Sequence, residues 1–334
     1  MEKIRVAQIG MSQNSHGHQI WNSLVKQKDV FEVIGYALPE NERMKFPAQV
    51  KVFEGYREMT VEEILNDPKI EAVVIETEEI YLTKYAIMAA EAGKHIHMEK
   101  PGGTDFKQFE QLIDLVQSKG LTFTTGYMYR FNPKVREALD KIKNGELGEI
   151  YSVEAHMSCT HDVEIRKWLK NFTGGMMFFL GCHLVDLIYQ IQGEPEAILP
   201  LSCSTGQDSV DAEDFGMAVF RYKNGVSFVK TCDVEKGGFL RRQVVICGSK
   251  GTIEIKPLEV AARGGQYTMM NEVYHEDWHT AGNVTQSQIY DRYDAMMKSF
   301  AEIVRKEKEN PYSYDYERKL YKMVLKACGK DVVL

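Results

Sequence analysis

The chain begins with a short apolar run, Ile4-Arg5-Val6-Ala7-Gln8-Ile9, that stops at Gly10 and continues as Met11-Ser12-Gln13-Asn14-Ser15-His16-Gly17. A glycine closing a first strand, with small residues and a helix behind it, is where backbone N–H groups and a helix N-terminus can receive a pyrophosphate. The usual spacing is G-x-G-x-x-G. Only the first glycine is in place here; Ser12 and Ser15 stand at the other two positions. Both are small enough for close approach, and their hydroxyls can donate to phosphate. An ordinary strand-to-helix turn explains the same residues as well. The next strand should end in an acid that holds ribose hydroxyls. It ends Tyr36-Ala37-Leu38-Pro39-Glu40, with Leu38 at the expected place, Glu40 close by, and Arg43 and Lys45 able to suit a 2′-phosphate. The implied cofactor is NAD or NADP; the subtype stays open, with a slight preference for NAD.

Other spacings carry less. His275-Glu276-Asp277-Trp278-His279 fits the H-E-x-x-H zinc pattern. That chemistry needs both histidines on one helix and a third ligand. The segment is short, lies between Gly264-Gly265 and Gly282, and follows strand-like residues. It reads as a loop by coincidence, and no metal is expected.

The elements that would position these residues change character along the chain. Residues 4–9, 30–37, 51–53, 72–76, 95–99 and 122–128 read as strands, and 18–28, 61–65, 80–92 and 105–119 as helices. Strands alternating with helices predict βαβ units and a parallel sheet. Beyond about residue 150 the segments 150–157, 197–203, 214–222, 225–233, 241–247 and 252–256 read as strands around one helix at 176–192. Lys223-Asn224-Gly225 reads as a hairpin turn, because Asn-Gly accepts positive φ angles. This half predicts a mostly antiparallel α+β sheet. Residues 286–307 and 315–328 read as helices. The expected division is an α/β dinucleotide-binding domain over 1–125 and an α+β domain over 126–334, the last helix packing back on the first.

Composition excludes several classes. The 334 residues are 44% hydrophobic and 27% charged, ordinary for a chain that buries a core. The formal net charge of −7 argues against general nucleic-acid or anionic-membrane binding. No apolar run approaches the roughly 18 residues of a membrane helix. Six cysteines without a CxxC pair suggest reduced thiols and a cytoplasmic protein.

Residues 93–103, Gly-Lys-His-Ile-His-Met-Glu-Lys-Pro-Gly-Gly, sharpen the reading. With the preceding Glu71–Ala92 segment they resemble the fourth and fifth strands of the Gfo/Idh/MocA oxidoreductases. Tyr129-Arg130-Phe131-Asn132-Pro133 is similar to the family's RFNP segment. Trp168, Gly174-Gly175 and Gly181-Cys182-His183-Leu184-Val185-Asp186 are similar to its W…GG…GxHxxD stretch, and Gly248-Ser249-Lys250-Gly251-Thr252 to its GxxGT turn. The resemblance implies a Rossmann domain followed by a domain with an open antiparallel sheet that serves oligomerisation, as a homodimer or homotetramer. It implies hydride exchange between nicotinamide and a sugar or polyol carbon. Lys100 would hydrogen-bond the reacting oxygen, and His183 would be the general acid/base. Gly10, Met11, Ser12, Asn14, Ser15, Leu38, Thr77, Glu78, Glu99, Lys100, Pro101 and Arg130 would contact the cofactor. Lys100, Asn132, His156, Trp168 and His183 would contact substrate.

The chain also departs from the family. Phe179 stands where an aspartate often precedes the histidine by four residues, and Asp186 is a possible replacement. Leu169 replaces an arginine after the tryptophan. The T-P-N turn reads Thr77-Glu78-Glu79, and two glutamates there would repel phosphates unless they point away. His156, His161 and Asp162 are further polar residues that could complete a substrate site. Two alternatives follow: a bound-NAD enzyme that oxidises a glycoside transiently, or a catalytically weak sugar or nucleotide sensor.

Overall fold

The computed structural model describes residues 2–275 and 281–332. Contacts divide the chain into two compact units: Met1–Tyr127 with Tyr293–Tyr321, and Met128–Arg292 with Lys322–Leu334. Four of the five residues of the H-E-x-x-H segment, 276–279, lie outside the described residues.

In the first unit, β1 (Ile4–Ile9), α1 (Gly17–Lys26), β2 (Phe31–Ala37), α2 (Glu42–Lys45), α3 (Val61–Asn66), β3 (Ala72–Ile75), α4 (Leu82–Glu91), β4 (His95–Met98), α5 (Phe106–Ser118) and β5 (Phe123–Thr125) follow in order. The strands form one parallel sheet in the order β2-β1-β3-β4-β5. All four residues of β3 are buried, as a strand covered on both faces requires. Helix starts are written locally: Thr60 and Glu63 form a reciprocal capping box on α3, and Asp105 accepts from the Lys107 and Gln108 backbone N–H groups at α5. The expected strand at 51–53 is instead a 3₁₀ turn, Gln49–Phe53. It turns Val50 and Phe53 into a cluster with Met11, Trp21 and Tyr36; three alternating residues were too few to set a strand period.

The second unit continues with α6 (Pro133–Lys143), β6 (Ile150–His156), α7 (Val163–Trp168), α8 (Cys182–Gln192), β7 (Ala197–Pro200), β8 (Phe215–Tyr222), β9 (Gly225–Cys232), β10 (Gln243–Gly248), β11 (Gly251–Ile255), β12 (Val260–Ala262), β13 (Gly265–Tyr267), β14 (Met269–Val273) and β15 (Asn283–Gln286). Eight strands form a sheet ordered β15-β14-β11-β10-β6-β9-β8-β7, antiparallel except for the β6–β9 pair. The fold class is thus a Rossmann-like parallel sheet followed by a mostly antiparallel sheet. The β8–β9 hairpin exists, but neither Asn224 nor Gly225 takes a positive φ. Gly225 is needed for space: a Cβ there would lie 1.9 Å from the Tyr151 carbonyl oxygen. The expected helix at 286–307 is shorter, α9 (Asp294–Val304), because Gln286 ends β15 and Ser287 and Tyr290 hydrogen-bond to the backbone of Thr268 and Gln266 instead. The chain ends in α10 (Tyr314–Ala327). Among the described residues no helix is long and apolar enough to cross a membrane.

Candidate nucleotide and substrate sites

The first unit's strand order reverses direction at β1, which makes the carboxyl ends of β1 and β3 the switch point where such sheets bind ligands. Gly10 sits there with φ +92°, and a Cβ would meet Thr77 Cγ2 at 2.3 Å and Thr77 N at 2.6 Å. No other residue lets the two turns close this tightly. The loop behind Gly10 is held by its serines. Ser15 Oγ accepts from the Ser12 and Gly17 backbone N–H groups at 3.3 and 3.2 Å and donates to the Glu76 carbonyl at 3.3 Å; Ser12 Oγ accepts from Asn14 N–H at 3.2 Å. The hydroxyls expected to meet phosphate therefore build the turn that a glycine-rich loop forms without them. Met11 buries its side chain in the Trp21 cluster, so only its backbone faces the loop.

Leu38 lines a cleft of about 780 Å³ with Ala37, Pro39, Thr60, Lys84, Tyr85 and Met88. The basic groups around the end of β2 are each matched by a carboxylate: Arg43 with Glu58 at 2.5 Å, Lys45 with Glu78 at 2.8 Å, and Lys84 with Glu40 at 2.6 Å. Glu78 thus points to a lysine, one answer to the expected phosphate repulsion.

The other answer is burial. Glu42, Glu76 and Glu79 are buried, and no side chain hydrogen-bonds their carboxyl oxygens. Burial pushes Glu42 up to about 9 against an opposing Met11 backbone contact, and Glu79 up to about 7 against Lys100. Burial and the adjacent Glu99 charge hold Glu76 well above the carboxylate range. Glu99 goes the other way: burial alone would raise it, but His16, with Nδ1 3.4 Å from Oε2, and Lys100 bring it below its ordinary value. Lys100 is buried at the end of β4 with Nζ 3.8 Å from Glu99 Oε1. Pro101 then leads into Gly102 and Gly103, both at positive φ. His16 as the partner of Glu99 was not legible, since nothing local links the first loop to the fourth strand. Thr77, Glu99, Lys100 and Pro101 therefore surround one end of the sheet, together with carboxyls kept neutral.

In the second unit a π-helical turn, Met177–Gly181, runs into α8 and sets His183 in its first turn, buried. The Tyr129 ring stands edge-on to the imidazole with centroids 5.2 Å apart. Tyr129 donates to Glu259, which also receives Arg242 Nη1 at 2.9 Å and Arg292 Nε at 2.7 Å. Burial and Glu259 push the phenol up, so it stays a donor. Asp186, the possible substitute for the missing aspartate, turns its carboxylate to Arg130 Nε at 3.1 Å and Nη2 at 2.8 Å, and to Gln190 Nε2 at 2.9 Å. Arg130, expected at the cofactor, is buried in this ion pair.

Two residues expected at the substrate are held in structural roles. Asn132 caps α6: Oδ1 accepts from Lys134 and Val135 N–H, and Nδ2 donates to the Leu258 carbonyl and Tyr290 hydroxyl. An amide has four hydrogen-bonding positions, and all four are used. His156 lies on the β6 face opposite Val153 and Ala155, the fully buried pair, so strand alternation turns it away from the helix-covered side. Trp168 stands edge-on to Phe179, with centroids 5.2 Å apart, and Phe179 precedes His183 by one helical turn. Asp162 is the N-cap of α7, accepting from Ile165 N–H at 2.9 Å. His161 also reaches Phe179, with centroids 6.3 Å apart.

The buried Glu42 makes a measurable prediction. Its carboxyl is raised from 4.5 to about 9 in the folded chain, so the unfolded chain loses that proton first. Stability then falls as pH climbs from about 4.5 toward 9. Denaturant unfolding of Glu42→Gln, compared with the parent, should show the variant gaining roughly 2–4 kcal/mol on the parent between pH 5 and pH 8. A difference that stays constant with pH would show that Glu42 is ionised in the folded chain.

Comparison with known proteins fits this geometry. Over 193 residues the chain is 31% identical to the oxidoreductase YhhX of Escherichia coli (strain K12), covering 58% of this chain and 54% of that protein. Over 233 residues it is 24% identical to the 2,7-anhydro-N-acetylneuraminate hydratase of the same strain, covering 65% and 61%. The alignments thus reach less than two thirds of these relatives' own length. Levoglucosan dehydrogenase, solved in complex with NADH and levoglucosan, superposes with a TM-score of 0.80 at 18% identity over 98% of both chains, a likeness of fold. Residues 4–127 match the model described as "Oxidoreductase family, NAD-binding Rossmann fold", and residues 135–254 match the "GFO/IDH/MocA C-terminal domain". With both of its domains matched in order, the chain belongs to the Gfo/Idh/MocA oxidoreductase family.

Proposed function

We propose that the chain is a nicotinamide-dependent oxidoreductase acting on a CH–OH or carbonyl carbon of a sugar, polyol or sugar derivative. The observation that carries this reading is Lys100, a lysine buried at the end of β4 beside an ionised Glu99 and beside Glu76 and Glu79, whose carboxyls burial pushes toward the protonated form. Burying an ammonium is costly unless it is paired, and such sites are kept where the charge meets a reacting group. The Gly10–Ser15 loop would hold the dinucleotide phosphates with backbone N–H groups, and the Leu38 cleft would take the adenosine. Bound nicotinamide would supply or accept the hydride. Lys100 hydrogen-bonds the reacting oxygen and stabilises negative charge there. His183 takes or returns the hydroxyl proton, and the Tyr129–Glu259 pair keeps its ring in place. Trp168 and Phe179 offer apolar walls suited to the C–H face of a sugar ring.

The substrate's identity is set by hydroxyl geometry, but sugar or polyol chemistry has support in the levoglucosan dehydrogenase likeness. A relative named as a hydratase supports a second reading, in which a nucleotide that stays bound assists a reaction without net redox change. Leu199 and Val226, exposed on β7 and β9, support a homodimer or homotetramer.

Two outcomes test the proposal. In a sugar and polyol screen followed by NADH absorbance, Lys100→Met and His183→Asn each lower turnover by roughly 10²–10⁴-fold, and His183→Asn leaves NADH affinity unchanged. Unaltered turnover in both variants would remove the two residues from the chemistry. Because every cation near β2 already has a carboxylate partner, NADH binds at least about tenfold tighter than NADPH in a fluorescence titration, a difference of about 1.4 kcal/mol. Tighter NADPH binding would mean that those ion pairs open to receive a 2′-phosphate.

A further inference from the structure

Where β6 and β9 run on past their ends, the second unit gathers three side chains that the proposed hydride chemistry does not use. Cys159 and Asp233 are buried, and His161 is partly open to solvent. Their ligand atoms lie within 4.8 Å of one another. Cys159 Sγ is 3.6 Å from His161 Nδ1 and 3.3 Å from Asp233 Oδ1, and His161 Nδ1 is 2.5 Å from Asp233 Oδ1. Asp233 is wholly buried, and its second oxygen, Oδ2, has no hydrogen-bond partner. A buried carboxylate oxygen without a donor is costly, which calls for a cation or a donor that is missing.

We infer that Cys159, His161 and Asp233 form a three-ligand site for a late first-row divalent metal ion of the zinc type. An ion at about 2.3 Å from sulfur and about 2.0–2.2 Å from nitrogen and oxygen sets tetrahedral ligand atoms roughly 3.4–3.6 Å apart. The sulfur–nitrogen and sulfur–oxygen separations, 3.6 and 3.3 Å, already match. The nitrogen–oxygen contact is closer, 2.5 Å, and has to widen by roughly 1 Å to seat an ion between the two groups. Mixed sulfur, nitrogen and oxygen ligands select zinc or cobalt over magnesium or calcium, which prefer oxygen alone.

The charges balance. On coordination the Cys159 thiol releases its proton to solvent, and the neutral His161 ring, ligating through Nδ1, carries its proton on Nε2. One thiolate, one carboxylate and a neutral imidazole around a divalent ion make a neutral buried group. Coordination requires the thiolate, so metal binding at Cys159 releases a proton. Three protein ligands with a partly exposed histidine leave a fourth position open to water or an oxygen ligand. His161 also packs on Phe179, one turn before His183.

The test uses the full chain and metal ions alone. The protein is stripped with a chelator, then titrated with Zn(II) against a chromophoric competitor, and separately with Co(II). The expected result is one saturable Zn(II) per chain and a thiolate-to-cobalt charge-transfer band that Cys159→Ser abolishes. His161→Ala, at a half-exposed position, and the near-isosteric Asp233→Asn weaken Zn(II) binding by more than the roughly 10–100-fold that loss of an outer partner costs. Circular dichroism of the metal-free variants confirms that they are folded. No stoichiometric Zn(II) in the parent, or binding that survives in both His161→Ala and Asp233→Asn, overturns the assignment.

Discussion

Around Lys100 the structure puts more carboxyl groups out of water than it has cations to match. Burial settles that imbalance by pushing Glu76 and Glu79 toward their protonated forms, while His16 and Lys100 keep Glu99 ionised. Had all three been charged, the end of the parallel sheet would repel any dinucleotide. Protonated, Glu76 and Glu79 flank Thr77, which closes against Gly10, as hydrogen-bond donors. An eroded glycine fingerprint and an acidic T-E-E turn are thus compatible with a nucleotide site because desolvation, rather than sequence composition, decides the charge there.

The second unit uses a different device to the same end. Its ionised groups are buried as closed sets: Arg130 with Asp186, and Arg242 and Arg292 with Glu259. Such sets are costly to break and hold one geometry. They fix the two residues that frame His183, Tyr129 in front and Asp186 one turn on. The aspartate that relatives often place at Phe179 would have been one more buried charge. In its stead the chain carries an aromatic cluster of Trp168, Phe172 and Phe179, and a polar set, His161 with Asp233, on its flank.

The parallel half was legible because its central strands, such as Ala72–Ile75, are continuous apolar runs between strong helix signals, as burial on both faces demands. The six strands expected between 150 and 256 also stand, since their alternation reports one covered face. Lys51–Phe53 misled because a 3₁₀ turn and a short strand share a period too brief to separate. The late strands β12–β15 were legible only at the strand-like end of β14, because each is three to five residues long and too short to set a period. The site divides along the same line. Gly10, Lys100 and His183 sit in local patterns. Asn132, Arg130 and His156 share such patterns but are claimed by a helix cap, an ion pair and strand alternation. Asp233 joins Cys159 across 74 positions, and His16 joins Glu99 across 83; only the pairing of distant strands brings them together.

The nucleotide site depends on the protonation of the carboxyls beside Lys100, and NADH affinity as a function of pH reads it directly. Glu79, raised to about 7, ionises through neutrality and adds negative charge beside an anionic ligand. Affinity measured by fluorescence titration should begin to weaken between pH 6 and 7 and fall severalfold, up to about tenfold per pH unit for each group that ionises, toward pH 9. Affinity that is flat or rises across that range would mean that these glutamates are already charged, and that burial does not make the nucleotide site.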